Sequence, residues 1–190
     1  MAYSLAIFRV LILKYIMKIK ILALCGSLRE TSSNNTILKL ISGMMPGNVE
    51  FTVYKELASI PAFDEIDNDP VIQFRQKIRE ANGVLICTPE YAFGVPGALK
   101  NALDWTVSSG DFDQKPVALI TASSVGDKGH AALLNTLTAL GTNTVEEGTL
   151  LISFIRAKLK EGQFVDNQTE RAVRKVVNTL ISTIEKQQGN

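Results

Sequence analysis

Residues 19–35 read IKILALCGSLRETSSNN, an apolar run that passes directly into a polar stretch. The run from Ile19 to Cys25 contains one charged residue, which is typical of a short strand buried on both faces of a sheet. The residues that follow, 26–34, are mostly hydroxyl, amide and charged residues around a single glycine, Gly26. The stretch therefore predicts a buried strand, then a polar loop, then the start of a helix.

Two kinds of apolar pattern alternate along the rest of the chain. Helical spacing is found at residues 37–44, 71–78, 96–107, 133–140 and 172–184, and strand patterns at residues 49–53, 83–88, 116–121 and 145–152. Residues 56–69 predict a long loop, and Asn167 with Glu170 fits the cap at the start of the last helix. Strands alternating with helices of this length predict a doubly wound α/β protein with a parallel five-stranded sheet.

The composition and net charge limit which classes of protein the chain can belong to. The chain has 190 residues, of which 46% are hydrophobic and 21% charged, as in an ordinary globular domain. A net charge of +1 gives no electrostatic reason to expect binding to nucleic acid or to an anionic membrane. The two cysteines cannot form a disulfide framework, so we expect a cytoplasmic protein with reduced thiols.

The first residues form a segment of a different kind. Residues 1–16 are apolar, but Arg9 and Lys14 interrupt them, and the run is too short to span a bilayer of about 30 Å. A second methionine, Met17, directly precedes the first predicted strand. We expect one domain at residues 17–190, preceded by an extension that is either a start assigned too early or dispensable. The alternative is a weak interfacial anchor.

Ligands of doubly wound sheets bind beyond the carboxyl ends of the strands, which selects the loops at residues 26–34, 88–95 and 122–130. The first loop has hydroxyls and one guanidinium, Arg29, ahead of a helix N-terminus, and these groups suit the terminal phosphate of a monoester. Its spacing excludes a Walker A loop, a glycine-rich dinucleotide fingerprint and a tyrosine phosphatase loop. A polar turn that caps a helix explains this loop equally well.

The second loop favours a flat ligand. Residues 88–105 read TPEYAFGVPGALKNALDW, in which Pro89 and Pro96 stiffen the backbone. Gly94 and Gly97 allow a ligand to approach the backbone closely. A rigid loop of this kind suits recognition of the edge of a heterocycle, whereas a simple turn before a helix explains only Pro96.

These two motifs together resemble one family. GSLRETSSN is similar to the G-S-x-R-x-x-S-x-N phosphate loop of the NAD(P)H-dependent FMN reductase family. PEYAFGVPGALKNALDW resembles the P-E-Y-N-x-x-x-P-G-x-L-K-N-A-x-D-W segment of the same family. The family has a flavodoxin-like fold and includes quinone, azo-dye and chromate reductases. The resemblance therefore implies a sheet in the order 2-1-3-4-5, and the element pattern extends it over residues 17–190.

The resemblance also implies two sets of FMN contacts. The FMN phosphate would be held by side chains of the first loop, namely Ser27, Arg29, Ser32 and Asn34. The isoalloxazine ring would meet the second loop at Pro89, Glu90 and Tyr91.

The chain departs from the family pattern at two places. Ala92 stands where many members have asparagine, so one hydrogen bond near the flavin is expected to be missing. The third loop, SSVGDKGHAA, matches the family only loosely, because His130 occupies a common glycine position. This second departure leaves open how the nicotinamide and the acceptor bind.

The function that the resemblance implies is an oxidoreductase that uses NAD(P)H and passes two electrons through bound FMN to a quinone-like or other small-molecule acceptor. We also expect a homodimer or a homotetramer. The cofactor carries the chemistry, so no catalytic side chain and no metal ligand are assigned. Two alternatives stay open: a one-electron carrier of the flavodoxin type, which the near-neutral charge disfavours, and a non-enzymatic flavin-binding sensor.

Five other conspicuous residues have simpler explanations. We expect His130 to be a loop residue at the border of the site, with no role as a proton donor. We expect Leu99 and Trp105 to pack in the core or in a subunit interface. Cys25 and Cys87 end neighbouring strands in the order 2-1-3-4-5, and we expect them to be buried structural thiols.

Overall fold

The computed structural model describes residues 18–189, so the expected extension at residues 1–16 lies outside the described residues. One sheet contains five parallel strands, namely β1 (Ile19–Cys25), β2 (Val49–Tyr54), β3 (Gly83–Thr88), β4 (Val117–Ala122) and β5 (Thr149–Ile152). Their order across the sheet is β2-β1-β3-β4-β5. The predicted doubly wound sheet and its flavodoxin-like order are thus confirmed.

Helices cover both faces of this sheet. Among residues 18–189 the α-helices are α1 (Ser33–Met44), α2 (Asp69–Glu80), α3 (Gly97–Asp104), α4 (Asp127–Ala139), α5 (Ile155–Lys158) and α6 (Asn167–Gln188). On one face, α1 and α6 pack around residues such as Ile41 and Val176. On the other face, α2, α3 and α4 enclose Phe74, Leu99 and Leu133. Because neither face meets solvent, every residue of β3 and β4 is buried, which explains their apolar sequences.

The two cysteines are direct register partners. Cys25 at the end of β1 lies opposite Cys87 of β3, and both thiols are free and buried. Burial raises the pKa of both thiols, so both are protonated near neutral pH. The expectation that both thiols are buried on neighbouring strands is confirmed, and their structural role stays a prediction.

The fold differs from the sequence prediction near the carboxyl end of the chain. The strand predicted at residues 145–152 is shorter, because Glu146–Gly148 form a 3-10 helix and β5 begins at Thr149. Two glutamates and a glycine have low strand propensity, which explains the later start. A small antiparallel hairpin, β6 (Leu159–Lys160) and β7 (Gln163–Phe164), was not predicted.

The helical parts of the chain differ from the prediction at three further places. The helix predicted at residues 96–107 is α3, which ends at Asp104, and the predicted loop at residues 56–69 contains a 3-10 helix at Glu56–Ser59. The prediction of Asn167 as the cap of the last helix is wrong by one position. The side chain of Asp166 accepts a hydrogen bond from the Thr169 amide at 2.6 Å, so Asp166 is the N-cap.

The aromatic residue beside α3 belongs to the core. Trp105 is 2% exposed, and its indole Nε1 donates a hydrogen bond to the Pro61 carbonyl at 3.0 Å. Leu99 is fully buried in the same cluster. The expectation that these side chains pack in the core is confirmed. Within the described part of the chain, no helix is both long and apolar enough to cross a bilayer.

A buried carboxylate ties α2 to the segment before β4. Asp111 accepts hydrogen bonds from Arg75 at 3.0 Å, from Arg79 at 2.8 Å and from the Ser109 hydroxyl. Burial alone would raise the pKa of this carboxyl, but the hydrogen bonds from Ser109, Arg79 and Arg75 outweigh burial and lower it. Asp111 therefore stabilises the fold as an anion.

Replacing Asp111 by asparagine is expected to lower the free energy of unfolding by about 2 kcal/mol at pH 7, because charge-assisted hydrogen bonds to two guanidinium groups are weakened. The folded pKa lies below the unfolded value of about 3.9, so the stabilisation is present above that pH and is lost as the pH falls through the folded pKa. Urea denaturation should show that the variant loses the same free energy of unfolding, relative to the wild type, at pH 7 and at pH 5. At pH 3 this loss should be smaller.

The matched control for this prediction is Asp67→Asn, since Asp67 also pairs with Arg75 but is 53% exposed. Its effect should stay below about 1 kcal/mol. An Asp111→Asn protein as stable as the wild type at pH 7 would contradict the structural role of the buried anion.

Candidate functional site

A cavity of about 410 Å³ lies at the carboxyl edge of the sheet. It is bordered by the loops that follow β1, β3 and β4, which are the three loops selected from the sequence. Five of the seven predicted cofactor residues line it, namely Arg29, Asn34, Pro89, Glu90 and Tyr91. The structure therefore brings the two sequence motifs together at one place.

The other two predicted residues support the first loop from outside the cavity lining. Ser32 is buried and caps α1, where its Oγ accepts a hydrogen bond from the Asn35 amide at 3.2 Å. Ser27 is also buried, and its Oγ lies 3.5 Å from the Tyr91 hydroxyl, which joins the first loop to the second. Their predicted contacts with a phosphate stay predictions, whereas their contacts within the protein fix the loop.

Asn34 connects α1 to two strands. Its side-chain amide Nδ2 donates to the Ala122 carbonyl at 3.2 Å, at the end of β4. Its Oδ1 accepts a weak hydrogen bond from the Cys87 thiol at 3.3 Å. The side chain is 3% exposed, so these contacts position the start of α1 against the sheet. Its predicted role at a phosphate stays a prediction beside this positioning role.

Arg29 is the predicted residue whose side chain is free to meet a ligand. It is exposed, it lines the cavity, and its guanidinium has no carboxylate partner among residues 18–189. The backbone beside it is fixed, because its carbonyl accepts a hydrogen bond from the Asn35 side chain at 2.8 Å. An unpaired guanidinium beside a helix N-terminus suits an anionic ligand group.

The second loop forms a tight hairpin turn that contains Ala92, the residue that departs from the family pattern. Tyr91 and Gly94 exchange two backbone hydrogen bonds, of 3.1 and 2.9 Å. The two residues between them, Ala92 and Phe93, have positive φ angles of 47° and 59°. Such a turn favours asparagine or glycine, so the alanine stores strain in addition to lacking the amide of asparagine.

Glu90 has a partner that the sequence did not reveal. Its carboxylate Oε2 accepts a hydrogen bond from the Gly129 amide at 2.6 Å, in the first turn of α4. A Cβ at Gly129 would lie 3.0 Å from Glu90 side-chain atoms and from the Gly94 carbonyl, so a larger residue there would require Glu90 or the second loop to shift by a few tenths of an ångström. The Glu90 amide also donates to the Ser123 hydroxyl at 3.3 Å. Glu90 thus fixes the second loop against the third.

His130 is not a loop residue, contrary to the sequence expectation. It lies in the first turn of α4, which begins at Asp127, six residues earlier than the apolar spacing from Leu133 indicated. Its ring Nδ1 is 2.8 Å from the Thr121 hydroxyl. Burial lowers the pKa of this histidine, so the ring is neutral at pH 7, and it is not among the residues that line the cavity.

The segment after β5 is a part of the cavity wall that sequence reasoning missed. Phe154 and Arg156 line the cavity beside the two motifs. Phe154 is 68% exposed and has a φ angle of 55°, which is unusual for a bulky residue. No motif marks this segment, but the rule that ligands meet the carboxyl ends of strands applies to β5 as well and could have found it.

The architecture and the site together define a class of protein. A flavodoxin-like sheet carries a cavity at the carboxyl ends of its strands, and a phosphate-type loop and a rigid aromatic loop both border it. A family model described as NADPH-dependent FMN reductase matches residues 19–157, which is well over half of the chain. The chain belongs to this family.

Curated relatives agree with the family. The chain is 37% identical to a quinone reductase of Escherichia coli strain K12 over 122 residues, which are 60% of this chain and 64% of that protein. The match thus spans just under two thirds of that relative. The chain is also 31% identical to an NADPH:quinone oxidoreductase of Arabidopsis thaliana over 176 residues, 85% of this chain and 90% of that protein.

A solved structure shows the same architecture. FerB from Paracoccus denitrificans, described as a flavoenzyme NAD(P)H:(acceptor) oxidoreductase, is 25% identical and has a TM-score of 0.77. The similarity covers 88% of this chain and 97% of FerB. The predicted family is thereby confirmed.

Proposed function

We propose that this chain is an NAD(P)H-dependent, FMN-containing oxidoreductase that passes two electrons to a quinone-like or other small-molecule acceptor. One observation carries the proposal. Residues of two motifs that are about 60 positions apart in sequence line a single cavity at the carboxyl edge of the sheet. The family to which the chain belongs supplies the identity of the expected ligand.

The cavity fits an FMN molecule in size and in chemistry. A volume of about 410 Å³ lies within the range of roughly 300–1,000 Å³ that is usual for cofactor sites. Cationic groups line it at Arg29 and Arg156, while Pro89 and Tyr91 offer flat apolar surface. The residues present therefore suit a ligand with one anionic end and one aromatic end.

The protein's own residues bind and orient the ligand in this proposal. Arg29 would bind the FMN phosphate, while Ser32 and Asn34 hold the loop that presents it. Glu90, through its bond to Gly129, would keep the second loop rigid against the isoalloxazine ring. The chemistry that bound FMN supplies is the transfer of two electrons from NAD(P)H to the acceptor.

Reduction of a quinone by a hydride also takes up one proton, which water can supply, so we assign no proton-donating side chain. The Glu90 carboxylate is bonded to a helix N-terminus, and the neutral His130 lies outside the cavity lining. We propose that the protein contributes to the activity by positioning the bound ligands. A cytoplasmic location and a homodimer or homotetramer remain part of this proposal.

The test is steady-state kinetics with purified protein and added FMN. NADH or NADPH oxidation should occur with a panel of small quinones, and double-reciprocal plots should be parallel, because both substrates need the same open side of one cavity. Intersecting lines would contradict the shared position. Absence of NAD(P)H oxidation together with a stable one-electron-reduced flavin would instead support the electron carrier.

A further inference from the structure

The cavity wall contributed by the segment after β5 carries a second unpaired guanidinium. Arg156 lines the same cavity as Arg29, Ser33 and Asn34, which belong to the first loop and the first turn of α1. Within residues 18–189, neither Arg29 nor Arg156 forms an ion pair with a carboxylate. The carboxylate that lines this cavity, Glu90, is bonded to the Gly129 amide. The cavity thus has an excess of positive charge.

The backbone beside Arg156 is held in a strained but well-bonded conformation. Phe154 has a φ angle of 55°, which is a strained conformation for a residue other than glycine. Its amide donates to the Ser124 carbonyl at 3.0 Å, and the Ile155 amide donates to the Ser123 carbonyl at 3.1 Å. Ile155 is also buried against the sheet. These contacts fix the backbone that carries Arg156 at the wall of the cavity.

The charge of a phosphate monoester favours a second cationic group beside Arg29. A phosphate monoester carries a charge of about −1.5 to −2 at pH 7, because its second pKa is about 6. Arg29 supplies one positive charge. A second guanidinium on the same cavity would complete the neutralisation, and two such groups can bind one phosphate from two sides.

We infer that Arg156 is a second phosphate-binding residue for FMN, supplied by the segment after β5 and acting together with Arg29. This inference rests on the proposed FMN site. It predicts that the segment after β5 takes part in cofactor binding although neither sequence motif includes it.

The test is a set of binding titrations with the apo protein, in which the quenching of flavin fluorescence reports the dissociation constant. Arg156→Ala should weaken FMN binding about tenfold or more and leave riboflavin binding within about twofold, because riboflavin lacks the phosphate. The protein with both Arg29→Ala and Arg156→Ala should bind FMN more weakly than either single variant. Lys160→Ala removes an exposed charge nearby, outside the cavity lining, and should leave FMN binding unchanged.

The pH dependence of FMN affinity is a second measurement. It should change in Arg156→Ala only if Arg156 contacts the phosphate. Wild-type affinity for FMN should rise between pH 5 and pH 7, as the phosphate loses its second proton. This rise should be smaller in Arg156→Ala, because one of the two groups that favour the dianion is gone. A structural defect would instead weaken FMN and riboflavin alike at every pH.

The outcomes separate this inference from the proposed function. Equal wild-type affinity for FMN and riboflavin would overturn the phosphate site as a whole. A wild type that prefers FMN and an Arg29→Ala variant that loses this preference, combined with an Arg156→Ala variant within about threefold of the wild type, would overturn only the role of Arg156.

Discussion

Replacing Gly26 by alanine is expected to destabilise the apo protein by about 3 kcal/mol, the upper end of the usual effect of overpacking. A Cβ at this position would lie 2.0 Å from the Thr88 hydroxyl oxygen and 2.6 Å from the Thr88 Cβ. Thr88 is buried, and the Gly26 amide is bonded to the Cys87 carbonyl at 2.9 Å, so neither strand end can move away freely. Urea denaturation of the apo protein measures the effect.

A second glycine of the same region provides the control. Gly43 lies within α1, and a Cβ there would meet nothing within 4 Å. Gly43→Ala should therefore stabilise the protein by up to about 1 kcal/mol through helix propensity. Thr88→Gly, which removes both clashing atoms, should restore part of the stability lost in Gly26→Ala. The account of the close approach would be wrong if Gly26→Ala and Gly43→Ala changed stability alike.

Replacing Arg29 by alanine is expected to weaken FMN binding by roughly ten- to 150-fold, since a hydrogen bond to a charged group contributes about 1.5–3 kcal/mol. The side chain is exposed and has no carboxylate partner among the described residues, so the stability of the apo protein should change by less than about 0.5 kcal/mol. Titration of FMN into both apo proteins at one ionic strength measures the effect.

Two further variants test whether the effect depends on the guanidinium group and on its position at the cavity. Arg29→Lys keeps the charge but not the planar fork, and should bind FMN with intermediate affinity. Lys39→Ala removes an exposed positive charge from α1, outside this cavity, and should have little effect. A change below about threefold in Arg29→Ala would remove Arg29 from the phosphate site.

The parts of the fold that could be predicted are those in which one local pattern dominates. The apolar runs of β1 and β3 are buried on both faces, so their sequences indicated strands directly. Residues 145–148 were predicted wrongly, since Val145 extended the apolar pattern while Glu146 and Glu147 favoured a 3-10 turn. Short elements such as β6 and β7 depend on tertiary contacts more than on their own residues.

The candidate site was predictable to the extent that motifs mark it. Arg29 and Tyr91 belong to motifs, and both line the cavity. The bond between Glu90 and Gly129 joins residues 39 positions apart, and nothing in the local sequence indicates that pairing. Arg156 belongs to no motif. The rule that ligands meet the carboxyl ends of strands could have indicated its segment, and the three-dimensional structure showed that Arg156 borders the same cavity as Arg29.

We expect the cavity at the carboxyl edge of the sheet to bind FMN through its phosphate. The most direct measurement is a pair of titrations of the wild-type apo protein, one with FMN and one with riboflavin, followed by flavin fluorescence. FMN should bind at least about tenfold more tightly, because riboflavin cannot form the charged hydrogen bonds to the first loop. Equal affinity for the two flavins would contradict this expectation.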